Sequence, residues 1–290
     1  YVVGDQNDIG GLVGGRNDPW DPGIIEACDS QGSVHGRMSA GGLIGYDTYG
    51  GRILECTSLC DVTGEENVGG LTGTEEGSIL KSQAHGAISG KTKVGGLIGQ
   101  TEGYLSECLE NVSVSSVRAE EIGGGLIGSI SNGLFFDMSD CYSIGDVQAG
   151  TAGGLIGLLK WTHVRYIRGL PELAADCYAA AAVSGNTSSD ASTILGGFIG
   201  HLDYNSPWRL PFYSSMWDTE LSGQTSGVGL MTNTFDPNVP IREFDVSGKT
   251  TAQMTDPNTF IKAGWDFEAA WSQLTEQDTP SLAWEHIQCE

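Results

Sequence analysis

Positive charge is scarce in this chain. Of its 290 residues, 14 are Lys or Arg against 37 Asp or Glu, a formal net charge of −23. Nucleic acids and anionic membrane surfaces call for a positive footprint, so neither is expected as a partner. No stretch reaches the roughly 18 to 20 apolar residues of a membrane span, so no membrane insertion is expected. Familiar catalytic signatures are missing as well: there is no His-Glu-x-x-His, no Gly-x-Ser-x-Gly and no P-loop. The histidines, His35, His85, His163, His201 and His286, fall at different repeat phases and build no ligand column. No signal peptide is recognisable. Tyr1 to Ile9 read as the end of a preceding repeat, so a segment of a longer chain or assembly is expected.

What the chain does have is glycine, 44 residues of it, about twice the usual share of roughly 7%. The excess sits in a pentapeptide, Gly-Gly-Leu-Ile-Gly or a close variant, starting at Gly10, Gly41, Gly69, Gly95, Gly124, Gly153 and Gly196. Subtracting successive starts gives periods of 31, 28, 26, 29, 29 and 43 residues. Such a period marks a stacked repeat architecture. Each period reads as three short β-like runs: the motif strand, a strand ending near a cysteine, and a short apolar strand. This suits one coil of a β-solenoid. The fold class expected is therefore all-β, a parallel β-helix of about seven coils. Leu12, Leu43, Leu71, Leu97, Leu126, Leu155 and Phe198 would stack as a ladder in its core. The motif glycines would allow sharp corners, positive φ and close backbone approach.

The seven cysteines match no zinc or haem spacing. A second ladder is expected through Cys28, Cys56, Ser82, Cys108, Cys141 and Cys177. Rungs about 4.8 Å apart lie within disulfide reach. Parallel side chains are poor disulfide geometry, which favours free buried thiols. After Gly200 the pattern changes. Trp217, Trp265, Trp271 and Trp284 lie in the last segment, Asp256 with Pro257 reads as a helix start and Gly264 as its stop. A repeat domain over 1–211 and a partly helical, aromatic cap over 212–290 are expected, the cap covering an open sheet end.

The repeats resemble the GLUG motif, a bacterial repeat of secreted, adhesin-like proteins that also accompanies IgA-specific metallopeptidase domains. Gly96–Leu97–Ile98–Gly99 and its counterparts carry the likeness, with Cys141–Tyr142 and Cys177–Tyr178. The tail resembles the ending of such proteins at Trp217–Asp218–Thr219, Gly248–Lys249–Thr250 and Gly264–Trp265–Asp266–Phe267. The resemblance implies an extracellular or cell-surface binding segment and carries no catalytic residues of its own. The peptidase zinc motif is absent.

Candidate chemistry concentrates in two insertions that leave the solenoid at one phase of adjacent rungs. The first, Leu158 to Leu173, carries Trp161, His163, Arg165, Tyr166 and Arg168. The second, after Gly200, carries Tyr204, Trp208 and Arg209. Aromatic planes with basic groups suit a glycan or a surface protein, and against the acidic field a neutral or weakly acidic glycan fits best. Acidic turns with Asp5, Asp8, Asp18 and Asp21 are the candidates for Ca²⁺. No other cofactor is expected. The alternatives are a carbohydrate-active enzyme, by fold analogy with β-helical lyases and hydrolases, and a filament subunit. For the enzyme, paired carboxylates such as Glu75–Glu76 with Glu102 would be needed.

Overall fold

The computed structural model describes residues 2–4, 7–16, 18, 23–47, 50–102, 106–131, 136–162, 174–186, 192–205, 212–234, 244–272 and 278–286. They form a β-solenoid of three parallel sheets with 15, 7 and 8 strands. Each coil has four strands, not three. In the coil of Leu97 these are Thr92–Gly95, Ile98–Glu102, Ser106–Leu109 and Val112–Ala119. Counterparts stack into four columns. The third and fourth columns count as one sheet because Phe212–Asp218 runs across both, pairing with Ala174–Ala175 and with Tyr178–Gly185.

The strand unforeseen in the sequence precedes the motif and ends on its first glycine. The Gly-Gly-Leu unit is thus a corner. The N–H groups of Leu97 and Ile98 both donate to the Leu126 carbonyl, at 2.9 and 3.0 Å, and every coil repeats this pairing with the next. Side-chain room is what fixes the glycines. A Cβ on Gly95 would overlap the Ile98 carbonyl oxygen, and one on Gly96 the Gly125 carbonyl of the next coil. Neither residue has positive φ, so close approach alone explains them.

Positive φ appears at another corner, between the third and fourth columns, and on residues other than glycine. Ala27, Glu55, Lys81, Glu110, Asp140, Asp176 and Ser214 all have φ between 48 and 55°. The residue after each turns inward: Cys28, Cys56, Ser82, Asn111, Cys141, Cys177 and Ser215. This is the true cysteine ladder. Cys108 does not belong to it. It lies one strand earlier, in register with Ile79 and Met138 on an aliphatic rung. The ladder has a polar task. All of these side chains except Asn111 donate to the carbonyl two residues back, as Ser82 Oγ does to Leu80 at 2.9 Å and Cys141 Sγ to Ser139 at 3.1 Å, while Asn111 Nδ2 donates to the Ile79 carbonyl at 2.7 Å. The ladder also accepts the N–H of the preceding rung: Cys56 N to Ser82 Oγ at 3.1 Å, and Ser82 N to Asn111 Oδ1 at 2.9 Å. Small groups that donate and accept therefore interchange here. Cys28, Cys56, Cys60, Cys108, Cys141 and Cys177 are free thiols. Burial, followed by hydrogen bonding with neighbouring thiols, pushes the Cys141 thiol well up.

The leucine ladder forms as expected from Leu43 through Leu155 to Phe198, all fully buried. Leu12 departs from it at 53% exposure, because it stands on the outermost rung. Parallel pairing continues beyond residue 212, with Val228–Asn233 joining the second column and Phe244–Lys249 pairing with Phe212–Asp218. Trp217 follows Ala179 in register. Its ring lies against Gly197, Gly227 and Gly248, filling the last coil.

Among the described residues, the tail that follows does not lie across the solenoid end. It packs sideways onto the outer face of the fourth column. Helix Pro257–Ala263 starts with Asp256 accepting the Asn258 N–H and stops at Gly264 with φ 96°, as the sequence suggests. Phe260, Trp265, Trp271 and Leu282 cover Val112, Tyr142, Tyr178 and Met216. Three indoles fix the register by hydrogen-bonding the positive-φ corner column. Trp284 Nε1 donates to the Glu110 carbonyl at 3.1 Å, Trp271 Nε1 to Asp140 Oδ1 at 2.7 Å, and Trp265 Nε1 to the Ser214 carbonyl at 2.8 Å.

Candidate binding cleft

The covered flank begins at coil four. On the fourth column the first outward residue reads Asp29, Thr57, Gln83, then Val112, Tyr142, Tyr178, Met216. The first three are polar and bare; the last four are apolar and lie under the tail. A cleft of about 420 Å³ opens at the border, lined by Ala27, Asp29, Glu55, Thr57, Lys81, Gln83, Trp284 and Glu285. Its floor is strand and corner, so it is rigid. Its wall is the end of the tail.

Each lining group has an evident origin. Alternation along a strand sends Asp29, Thr57 and Gln83 outward while Ser30, Ser58 and Ala84 face the core. Gln83 Nε2 reaches Thr57 Oγ1 at 3.4 Å, a side-chain ladder along the floor. Lys81 stands 3.8 Å from Glu110, both partly exposed, a pair of little energetic consequence. Trp284 is held by the bond from its Nε1 to the Glu110 carbonyl. Glu285 accepts from the Tyr142 hydroxyl at 2.9 and 3.0 Å and from the Leu282 N–H at 2.6 Å. Burial raises its carboxyl above the usual range. Burial first, then Tyr178 and Glu285, likewise raises Tyr142, which stays a donor. The cleft thus offers one indole, an amide, a hydroxyl, a lysine and three carboxylates within a few ångströms of backbone.

The residues singled out in the insertions behave differently. Trp161 and Tyr204 are cross-strand partners, 5% and 6% exposed, in the main core cluster. They are a core rung and offer no exposed patch, because the second column extends as Ile156–Thr162 and Ile199–Asn205 through the start of both insertions. His163, Arg165, Tyr166, Arg168, Trp208 and Arg209 lie outside the described residues, as do Asp5 and Asp21. Among the described residues no three His, Cys, Asp or Glu side chains come together as a metal cage. Glu75 and Glu102 are not opposite one another: Glu75 pairs with Thr101, and Glu102 with Ser131. Glu75 is 1% exposed and turned into the core beside Asp47. Its partner in that reading, Glu76, accepts from the Tyr46 hydroxyl at 2.8 Å.

No family model, no curated protein and no solved structure matches this chain. The cleft beside Trp284 escaped the sequence reading because it joins residues more than 200 positions apart. Only the switch from polar to apolar at one repeat position, Gln83 to Val112, foretells where the tail stops.

Proposed function

We propose that this chain is a binding segment of the GLUG-repeat type, working outside the cell or at its surface as an adhesin-like module, with a neutral or weakly acidic glycan as its ligand. The observation that carries this reading is the cleft of about 420 Å³ beside Trp284. An indole supplies a flat apolar face, and Asp29, Thr57 and Gln83 supply the paired acceptors and donors that fix sugar hydroxyls. Asp29, Glu55 and Glu285 outnumber Lys81, which disfavours a highly anionic chain. The rigid floor means that little is spent on ordering side chains at the moment of binding.

A glycan array probed with the intact protein, followed by titration of the best hit, tests the proposal. The double variant Thr57→Ala/Gln83→Ala alters two partly exposed floor residues and leaves the tail in place. Loss of about tenfold in affinity, some 1.4 kcal/mol, is expected. An empty array, or a hit that the double variant binds as tightly as the wild type, contradicts the reading.

A further inference from the structure

The cleft beside Trp284 has a direction. Its lining falls into two rows that follow the solenoid axis, one residue of each row per coil. Ala27, Glu55 and Lys81 form the corner row, and Asp29, Thr57 and Gln83 the strand row. Adjacent rungs are about 4.8 Å apart, so three of them make a trough about 10 Å long. A linear ligand that uses both rows lies along the axis.

The two ends of this trough differ. Toward coil four both rows stop. The strand row continues into Val112, which is fully buried under the tail. The corner row continues into Glu110, whose carbonyl takes the Trp284 N–H at 3.1 Å. Trp284 and Glu285 therefore stand across the axis as an end wall. The wall is fixed, because Glu285 accepts from the Tyr142 hydroxyl and from the Leu282 N–H. Toward coil one the trough is open among the described residues. The strand stacked on Asp29–His35 from that side, Val2–Val3, pairs with Val34 and His35, at the opposite end from Asp29. A trough closed at one end and open at the other admits the end of a chain and not its middle.

The chemistry of the wall agrees. A terminal sugar ring carries a hydroxyl where an internal ring carries the ether oxygen of its next linkage. The hydroxyl donates a hydrogen bond and the ether cannot. A carboxylate has about four acceptor sites, and the contacts of Glu285 with Tyr142 and Leu282 occupy three at most. Glu285 lines the cleft, so an acceptor is left there for the terminal hydroxyl, beside the Trp284 indole.

We propose that this trough recognises the non-reducing end of a neutral linear glycan, with Trp284 and Glu285 as the stop that excludes internal segments. This rests on the glycan reading of the cleft and sharpens it from a class of sugar to a position on the chain. Glycans carried on lipid, on protein or on an array support are joined through their reducing end, so the end left free is the non-reducing one.

The test is calorimetric titration of the full chain with laminari-, malto- and manno-oligosaccharides, each as tetrasaccharide, octasaccharide and soluble polymer. In the series that binds, one protein per glycan chain is expected at every length, with the affinity per chain unchanged beyond the tetrasaccharide. Reducing the last sugar of the tetrasaccharide to its alditol should leave the affinity as it was. The Thr57→Ala/Gln83→Ala chain should bind every length about tenfold more weakly. A count of bound proteins that grows with chain length overturns the inference and leaves the glycan reading standing, and so does loss of binding to the alditol. Wild-type affinity in the double variant places the sugar elsewhere and overturns both. No saturable binding in any of the three series overturns the inference as well, with the array deciding the broader reading.

Discussion

Coils one to three and coils four to seven share one backbone template and dress it in opposite ways. Inside, one rung of the second column reads Arg16, Asp47 and Glu75, then a polar Thr101 in coil four, and from there Ile130, Leu159 and Leu202. Outside, the bare Asp29, Thr57 and Gln83 give way to Val112, Tyr142, Tyr178 and Met216 under the tail. The backbone ladder tolerates both because its own hydrogen bonds do not depend on the side chains. What differs is the source of stability. The later coils gain from burying two faces of their sheet, the earlier ones from a single core plus a buried ion pair. Arg16 Nε meets Asp47 Oδ1 at 2.6 Å, and such a pair offsets little more than its own desolvation. The polar half is therefore where clefts lie and where the fold has least to spare.

Substitutions that strike one half alone break this comparison most sharply. Trp271 is fully buried, with its ring 4.5 Å from Trp265 and its N–H on Asp140. Trp271→Ala should cost about 3–5 kcal/mol in the tail. Hydrogen exchange would then rise over residues 251–286 while coils one to three keep their protection. Uniform loosening of the whole chain would mean that the halves are not separable. Next comes the leucine ladder. Leu126→Ala, a fully buried truncation, should cost about 2–5 kcal/mol by denaturant unfolding. The same change at the exposed Leu12 should cost less than about 0.5 kcal/mol. Equal effects would show that position within the solenoid does not set the cost.

A third comparison turns on pH. Burial, then the Asp47 carboxylate, raises the Glu75 carboxyl well above its ordinary value of 4.5, so the folded chain holds a proton that the unfolded chain releases. The stability this proton confers is complete below pH 4.5 and is lost as pH rises toward the folded value. The slope is at most about 1.4 kcal/mol per pH unit. Glu75→Gln keeps an oxygen for the Gly77 N–H, which Glu75 Oε1 accepts at 2.9 Å, and removes the titration. The variant should match the wild type near pH 4 and exceed it at pH 8. A wild type as stable as the variant across that range would place Glu75 elsewhere.

The sequence announces the period, the leucine ladder and the helix from Pro257 because each follows from local chemistry repeated at fixed spacing. It misplaces Cys108 because a ladder has two signals, the cysteine and the valine six residues on. Counting back from Val117 gives Asn111, whereas matching by residue type gives Cys108. It reads Trp161 and Tyr204 as surface, since composition alone cannot tell a strand that extends inward from a loop that leaves. The tail's lateral docking depends on three indoles finding corner carbonyls and one carboxylate across long stretches of chain, and no local pattern encodes that.

Hydrogen exchange of the intact chain, with and without the neutral oligosaccharide that binds best on the array, tests the central claim most directly. If the flank left bare by the tail is the binding face, protection should rise in Thr57–Thr63, Gln83–Gly90 and around Trp284, and nowhere else. Protection confined to Ile156–Thr162 and Ile199–Asn205, or none at saturating sugar, would contradict it.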